Sequence, residues 1–363
     1  MSENNYKEAA AVFANYTPDL PDLSAGEMTF TFLSGGLINT TRLVRCGLKS
    51  SFLLQQINTS VFCNPEDVQN NYISISKYAE QAHTGLRLPH PKYHKQNESL
   101  FRDKDGNYWR AFEFIEHAFS PPVAENPLQA KTTAKTFAKF TLAFDEFNTD
   151  QLRIVIPDFH NLSFRYHQFE ESLKGEQIKR KIKATLLIEE LKKREKYKHF
   201  YEVITESSES FPLRVMHHDA KIANVLFSKK TGKVICPVDF DTVMPGYYFS
   251  DMGDMIRSMA CTHDENSIDF NNINIRSDFY NAILDGYLEV MKNSLTEAEK
   301  KYIHYAGLIM IYMQALRFMT DYLNGDIYYR IEYAEQNFDK AKNQLILLER
   351  LEDFLKKEFQ FIP

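Results

Sequence analysis

The chain has 363 residues, 44% hydrophobic and 25% charged, a balance that fits a globular protein with room for two domains. A formal charge of −6 over this length is mild and excludes wholesale wrapping of nucleic acid or an anionic membrane, whose phosphates attract clustered cations. The four cysteines, Cys46, Cys63, Cys236 and Cys261, form no C-x-x-C pair and read as reduced thiols. The opening residues carry no apolar signal core, and no apolar run nears the ~20 residues of a membrane span, so a cytoplasmic protein is expected.

The run Glu8 to Tyr16 favours a short helix closed by Pro18 and Pro21. Residues 28–33, 40–44 and 51–57 are rich in β-branched and aromatic residues and read as strands of an antiparallel sheet. Between the first two lies Ser34-Gly35-Gly36-Leu37-Ile38-Asn39. The paired glycines are either a hairpin turn or a flap whose backbone N–H groups approach phosphate oxygens, and local sequence leaves both open.

Asn64-Pro65-Glu66-Asp67 has the order of a helix start: Asn as cap, Pro first, acids in the first turn. Tyr108 to Ile115 reads as another strand, and a break over 116–122 places a lobe boundary near residue 117. From there the pattern becomes mainly helical, with Ala134, Phe137, Phe140 and Phe144 at helical spacing and an interruption at Pro157-Asp158-Phe159-His160. The basic run from Lys174 to Lys198 is interleaved with Glu176, Glu189, Glu190 and Glu195 and reads as a solvated helix face. Two or three further helices are expected in the last hundred residues.

Chemistry concentrates between residues 216 and 241. An apolar run ends at His217-His218-Asp219; Asn224 opens a strand, Gly232 turns it, and Val234 to Val238 returns to end at Asp239. The spacing His217-x-Asp219-x-x-x-x-Asn224 matches the H-x-D-x-x-x-x-N catalytic loop of protein kinases, and Asp239-Phe240-Asp241 follows where a metal-binding aspartate is required. Phosphoryl transfer needs an oriented hydroxyl and neutralised charge, so these types suit it. Asp219 is the candidate base, Lys221 a candidate phosphate cation, and Asn224 and Asp239 offer hard oxygens to Mg²⁺. Asp251 and Asp254 read as braces of this loop or of the next helix, with Arg257 as partner; His217 reads as structural, and His218 receives no role.

The chain resembles the aminoglycoside phosphotransferase and choline kinase superfamily, and within it the N-acetylhexosamine 1-kinase group. Collinear stretches carry the resemblance: Gly36-Leu-Ile-Asn-Thr-Thr41, Leu54-Gln-Gln-Ile-Asn-Thr-Ser60, Phe114-Ile-Glu-His117, Pro212 to Lys221, Asp241-Thr-Val-Met-Pro-Gly246 and Asp321-Tyr-Leu-Asn-Gly-Asp-Ile-Tyr328. It implies an α+β, bilobal protein kinase-like fold, with a small antiparallel-sheet N-lobe over 1–117 and a larger, mainly helical C-lobe over 118–363. It implies ATP and Mg²⁺ as cofactors and transfer of the γ-phosphoryl group to the anomeric hydroxyl of N-acetylglucosamine or N-acetylgalactosamine. Nucleotide contacts are implied at Gly35, Gly36, Asn39, Thr40, Gln55, Phe114 and Ile115, and acceptor contacts at Asp219, Arg317 and Tyr328. The implied protein is a monomer or weak dimer with no nucleic-acid or membrane partner.

Two departures bear on these expectations. Protein kinases hold the α/β-phosphates with a lysine on the third strand, where this chain offers Gln55 or Gln56. Leu37 stands where some relatives carry a histidine in the glycine turn, which affects the acceptor preference. The same fold with another acceptor, a hexose, an amino alcohol or an aminoglycoside, is the alternative, and a catalytically silent nucleotide-binding module is a third reading.

Overall fold

A computed structural model describes residues 9–16, 28–33, 38–46, 50–94, 96 and 98–363. Gly35, Gly36 and Leu37 lie outside the described residues. In chain order the strands are β1 Met28–Phe32, β2 Thr40–Cys46, β3 Ser50–Gln56, β4 Pro91–Lys92, β5 Leu100–Arg102, β6 Tyr108–Glu113, β7 Ala118–Phe119, β8 Arg214–Met216, β9 Val225–Ser228, β10 Val234–Pro237 and β11 Met244–Gly246. The helices are α1 over 9–13, α2 Pro65–Gln81, α3 Pro127–Ala143, α4 Leu162–Ser172, α5 Ile178–Lys192, α6 Lys196–Glu206, α7 Phe249–Met259, α8 Ser277–Met291, α9 Glu297–Lys301, α10 Tyr305–Asn324 and α11 Gln336–Phe359. The chain divides into two compact units. One holds Met1–Phe119, Asp150–Pro157 and Leu226–Met244; the other holds Ser120–Thr149, Asp158–Val225 and Pro245–Pro363. Beside the boundary expected near residue 117, the first crossing lies after Phe119, and two later segments belong with the first unit.

The first unit is built on a six-stranded sheet of order β1-β2-β3-β6-β4, with β5 also on β6 and its pairings antiparallel. Period-2 alternation sorts its side chains by face. Phe30, Val44, Leu54, Trp109 and Ala111 point to one side and are sealed by Ala9, Val12, Phe13 and Tyr16. Tyr16 also donates its hydroxyl hydrogen to the Trp109 carbonyl, 2.7 Å away. Neighbouring positions turn to the other face, where Thr41, Gln55 and Arg110 stand in one cross-strand row. Asn71 of α2 ties in the later segments: its amide donates to the carbonyls of Arg153 and Val243 and accepts from the Arg153 N–H, each at 2.8 Å.

Three details depart from the pattern expected of the sequence. Asn64 stands at the cap of α2, but its backbone (φ −121°, ψ 82°) is not the extended cap conformation and its side chain makes no capping bond. The break after β6 contains the two-residue strand β7, whose Ala118 and Phe119 pair with Ser228 and Phe227 of β9. The last hundred residues hold four helices, α8 to α11, because the short α9 carries its own capping box at Thr296 and Glu299.

The second unit is mainly helical; with the first unit's sheet it gives the α+β class, and 47% of the described residues are helical. α3 begins at Pro127 under a true cap, Asn126 accepting from the Gln129 N–H. Its Ala134, Phe137 and Phe140 are fully buried. α10 is buried along most of its length, and Gly325, at φ +94°, ends it in the left-handed conformation that glycine adopts without strain. Arg214 of β8 is buried with its charge matched by Glu299, 2.9 Å away, and Asp145, 2.6 Å away. Among the described residues no helix is long and apolar enough to cross a membrane.

Candidate active site

Met216 ends β8, and the chain then enters a loop that carries Asp219, Lys221 and Asn224. The structure brings these three together. Asn224 donates its amide hydrogens to the Asp219 carbonyl (2.9 Å) and carboxylate (2.8 Å), and the Lys221 ammonium donates to the same carboxylate oxygen at 2.8 Å. Asn224 does not open the strand as expected. It closes a single 3₁₀ turn, Ile222–Asn224, and β9 begins at Val225. That turn swings its amide nitrogen back to Asp219, and its amide oxygen makes no hydrogen bond among the described residues. A hard oxygen without a protein partner is what a Mg²⁺ ligand requires.

The loop is braced from α7. The Asp251 carboxylate accepts the backbone N–H groups of His217 (2.9 Å) and His218 (2.7 Å). Burial pushes the Asp251 carboxyl up to about 7, and these two hydrogen bonds oppose the rise. Asp254, raised by burial, is paired with Arg257 at 2.8 Å. Asp251 thus braces the loop, and Asp254 has the expected partner, Arg257. The His217 ring is fully buried against Phe137 and Phe140, at 5.0 and 5.9 Å between ring centres. His218, at φ +65°, packs 5.1 Å from the His160 ring. Gly246 is required beside it, since a Cβ there would stand 2.5 Å from His218 Nε2.

Arg317 and Tyr328 also come together in the second unit. The Arg317 guanidinium lies over the rings of Phe159, Tyr328 and Tyr329, 5.6 to 5.9 Å from their centres, and donates to the Gln314 amide oxygen at 3.1 Å. Tyr328 is not core: it is 67% exposed. Its placement comes from Asp321, which the sequence left without a role. One Asp321 oxygen accepts the N–H groups of Ile327 and Tyr328, and the other accepts that of Tyr329 and the Asn337 amide, all at 2.8–2.9 Å. Asp321 is therefore a loop clamp.

Sequence reasoning missed the neighbour of Arg317. Arg165, on α4, donates to Gln168 and to the Phe159 carbonyl. Burial and then the charge of Arg317 push its guanidinium down to about 10. His160 is held well below the ordinary histidine range by burial, then by His218, Arg317 and Arg165, so its ring is neutral at pH 7. No carboxylate among the described residues lies within ion-pair distance of Arg165 or Arg317. No local motif marks this grouping; it arises from the packing of α4 on α10.

In the first unit, a cavity of about 160 Å³ opens on the sheet face that carries Thr41, Gln55 and Arg110. Leu53, Tyr72 and Phe112 form its apolar wall, and the segment Val238 to Asp241 borders it. Asp239 sits at φ +67°, a conformation uncommon for a residue other than glycine. Asp241 is buried, and its two oxygens accept from Arg110 and from the amide of Asn39. Thus the Asn39 side chain is engaged by Asp241 and by the Asn58 N–H, at 2.8 Å. Thr40 pairs with Gln56 across β2 and β3, and Phe114 and Ile115 follow the end of β6, with Ile115 buried.

Comparison with known proteins gives the family and the fold. The phosphotransferase enzyme family model matches residues 29–290. Among solved structures, an aminoglycoside phosphotransferase from Alicyclobacillus acidocaldarius aligns with TM-score 0.65 and 14% identity, over 97% of this chain and 95% of its own. A choline kinase from Cryptosporidium parvum aligns with TM-score 0.57 and 13% identity, over 98% and 97%. An amicoumacin kinase in complex with AMP-PNP and Ca²⁺ aligns with TM-score 0.57 and 12% identity, over 96% and 94%. The fold is kinase-like, and with a family model covering well over half its length the chain belongs to the phosphotransferase enzyme family.

Proposed function

We propose that this small-molecule phosphotransferase moves the γ-phosphoryl group of ATP to the anomeric hydroxyl of an N-acetylhexosamine, giving the sugar 1-phosphate. The observation that carries the acceptor assignment is the meeting of Arg165 and Arg317 at Phe159, beside Tyr328 and Tyr329, with no carboxylate at ion-pair distance among the described residues. Two guanidiniums repel a cationic acceptor such as choline and favour a neutral one rich in acceptor oxygens, and aromatic faces suit the apolar side of a sugar ring. The motif resemblance at Asp241 to Gly246 and Asp321 to Tyr328 supports the same acceptor.

In this reading Asp219 orients the acceptor hydroxyl and takes its proton. An anomeric hydroxyl is more acidic than an ordinary alcohol, so a carboxylate base is adequate. Lys221 and Asn224 hold the Asp219 carboxylate through hydrogen bonds of 2.8 Å each. Asn224 and Asp239 are the residues that would hold Mg²⁺, which when bound neutralises charge on the phosphates. Asn39, Thr40, Gln55, Phe114 and Ile115, with Gly35 and Gly36, are assigned to the nucleotide.

The test is ADP release with a panel of free sugars, amino sugars, choline and aminoglycosides, followed by ³¹P and ¹H NMR of the product. N-acetylglucosamine or N-acetylgalactosamine should be turned over with phosphate on C1. Phosphate on C6, or faster turnover of choline or an aminoglycoside, would overturn the acceptor assignment. Asp219→Asn should lower kcat by about 10²–10⁴-fold with nucleotide affinity retained.

A further inference from the structure

The cavity face of the first unit needs a cation if it is to meet a polyphosphate, and β3 supplies only Gln55 and Gln56. The register of the sheet offers one from the next strand. Gln55 of β3 lies directly opposite Arg110 of β6, and both side chains line the cavity. The Gln55 amide oxygen accepts from Arg110 Nε at 2.8 Å and Nη2 at 2.6 Å, and its nitrogen donates to Thr41 Oγ1 at 3.0 Å. Asp241 accepts a further hydrogen of Nη2. These bonds fix the guanidinium plane and leave Nη1 without a hydrogen bond among the described residues, although Arg110 is only 3% exposed. Nη1 is also not sealed inside protein. Arg110 is the one cationic side chain among the described residues that line this cavity.

The geometry points to Arg110 as the phosphate-binding cation of the nucleotide pocket, delivered from β6 and held in place by Gln55 and Asp241. This rests on the reading of the chain as an ATP-dependent kinase. A clamped guanidinium with one outward nitrogen is preorganised: two N–H donors meet a phosphate oxygen without reordering a long side chain. Asp241, with both oxygens engaged, serves as the holder, which leaves the metal role to Asp239.

The experiment is equilibrium binding of ATP, ADP and adenosine, without acceptor, to the wild-type chain, Arg110→Gln, Arg110→Lys, and the double variant Arg110→Gln/Gln55→Lys. Arg110→Gln should weaken ATP and ADP by about 10- to 100-fold, the range for a charge-assisted hydrogen bond, while adenosine changes by less than about 3-fold. Arg110→Lys, which keeps the charge but not the fork, should retain only part of the affinity. The double variant, which returns the cation to the facing position, should recover phosphate-dependent binding even if Arg110→Gln alone folds poorly. An equal loss for all three ligands, no loss, or no recovery in the double variant would overturn the assignment. A wild-type chain that binds no nucleotide would instead overturn the kinase reading itself, so the two failures are distinguishable.

Discussion

In the first unit, Arg110 is clamped between Gln55 and Asp241. In the second, Arg165 and Arg317 meet at Phe159, burial and then the charge of Arg317 lower the Arg165 guanidinium, and no described carboxylate pairs with either. The two arrangements put charge to different uses. A buried cation with its own carboxylate is held in one pose before any ligand arrives, so it steadies its surroundings as well as offering its remaining nitrogen. Cations without one leave unmet attraction, directed at whatever enters. The first should therefore show its worth in stability and nucleotide geometry, and the second in acceptor choice.

The largest effect is expected from breaking the balanced pair. Asp241→Ala removes the carboxylate from a guanidinium that is 3% exposed and also frees the Asn39 amide. Removing one partner of a buried ion pair costs about 3–5 kcal/mol. Chemical denaturation should show a loss of that size, with Asp241→Asn retaining part of it through the surviving amide oxygen. A loss below about 1 kcal/mol for Asp241→Ala would mean that the pair does not hold the sheet face, and the contrast with the second unit would collapse.

The unbalanced arginines should behave in the opposite way. Arg317→Ala should raise the acceptor KM by about 10- to 100-fold, the range for a charge-assisted hydrogen bond, with the ATP KM and Tm little changed. Arg165→Met should reduce discrimination against protonated amino sugars relative to their N-acetyl forms. If Arg317→Ala instead lowers Tm as far as Asp241→Ala does, its guanidinium is a structural group stacked on Phe159 and Tyr329, and the acceptor role is lost.

These arrangements differ in how far the sequence discloses them. The Asp219, Lys221 and Asn224 grouping is local: six residues and one 3₁₀ turn bring it together, so spacing alone was informative. Strand alternation likewise revealed the sheet of the first unit. Arg110 could not be read this way, because its role depends on a register linking residues 55 and 110, and periodicity does not pair strands. Arg165 and His160 meet Arg317 only when α4 packs on α10. Asp321 belongs to a stretch that carries the resemblance, but its part as a clamp depends on where the loop after α10 folds back. Asn64 and Asn126 both precede proline at a helix start, yet only Asn126 caps, since its backbone alone is extended.

The smallest expected effect extends the comparison from cations to anions. Asp241 has a cation for its charge, whereas the hydrogen bonds that Asp251 accepts come from the backbone N–H groups of His217 and His218. Burial therefore raises Asp251 to about 7 in the folded chain, against about 3.9 for an unperturbed aspartate. Between those values the folded state keeps a proton that the unfolded state has released. The contribution is fully present below the unfolded pKa, falls as pH rises, and is gone above about pH 7. Wild type should accordingly lose stability relative to Asp251→Asn as pH rises from about 4 to 7, measured by denaturant titration at each pH. Parallel curves would show that the two N–H groups alone suffice to keep Asp251 ionised, and that a buried anion in this chain needs no cation to match the one beside Asp241.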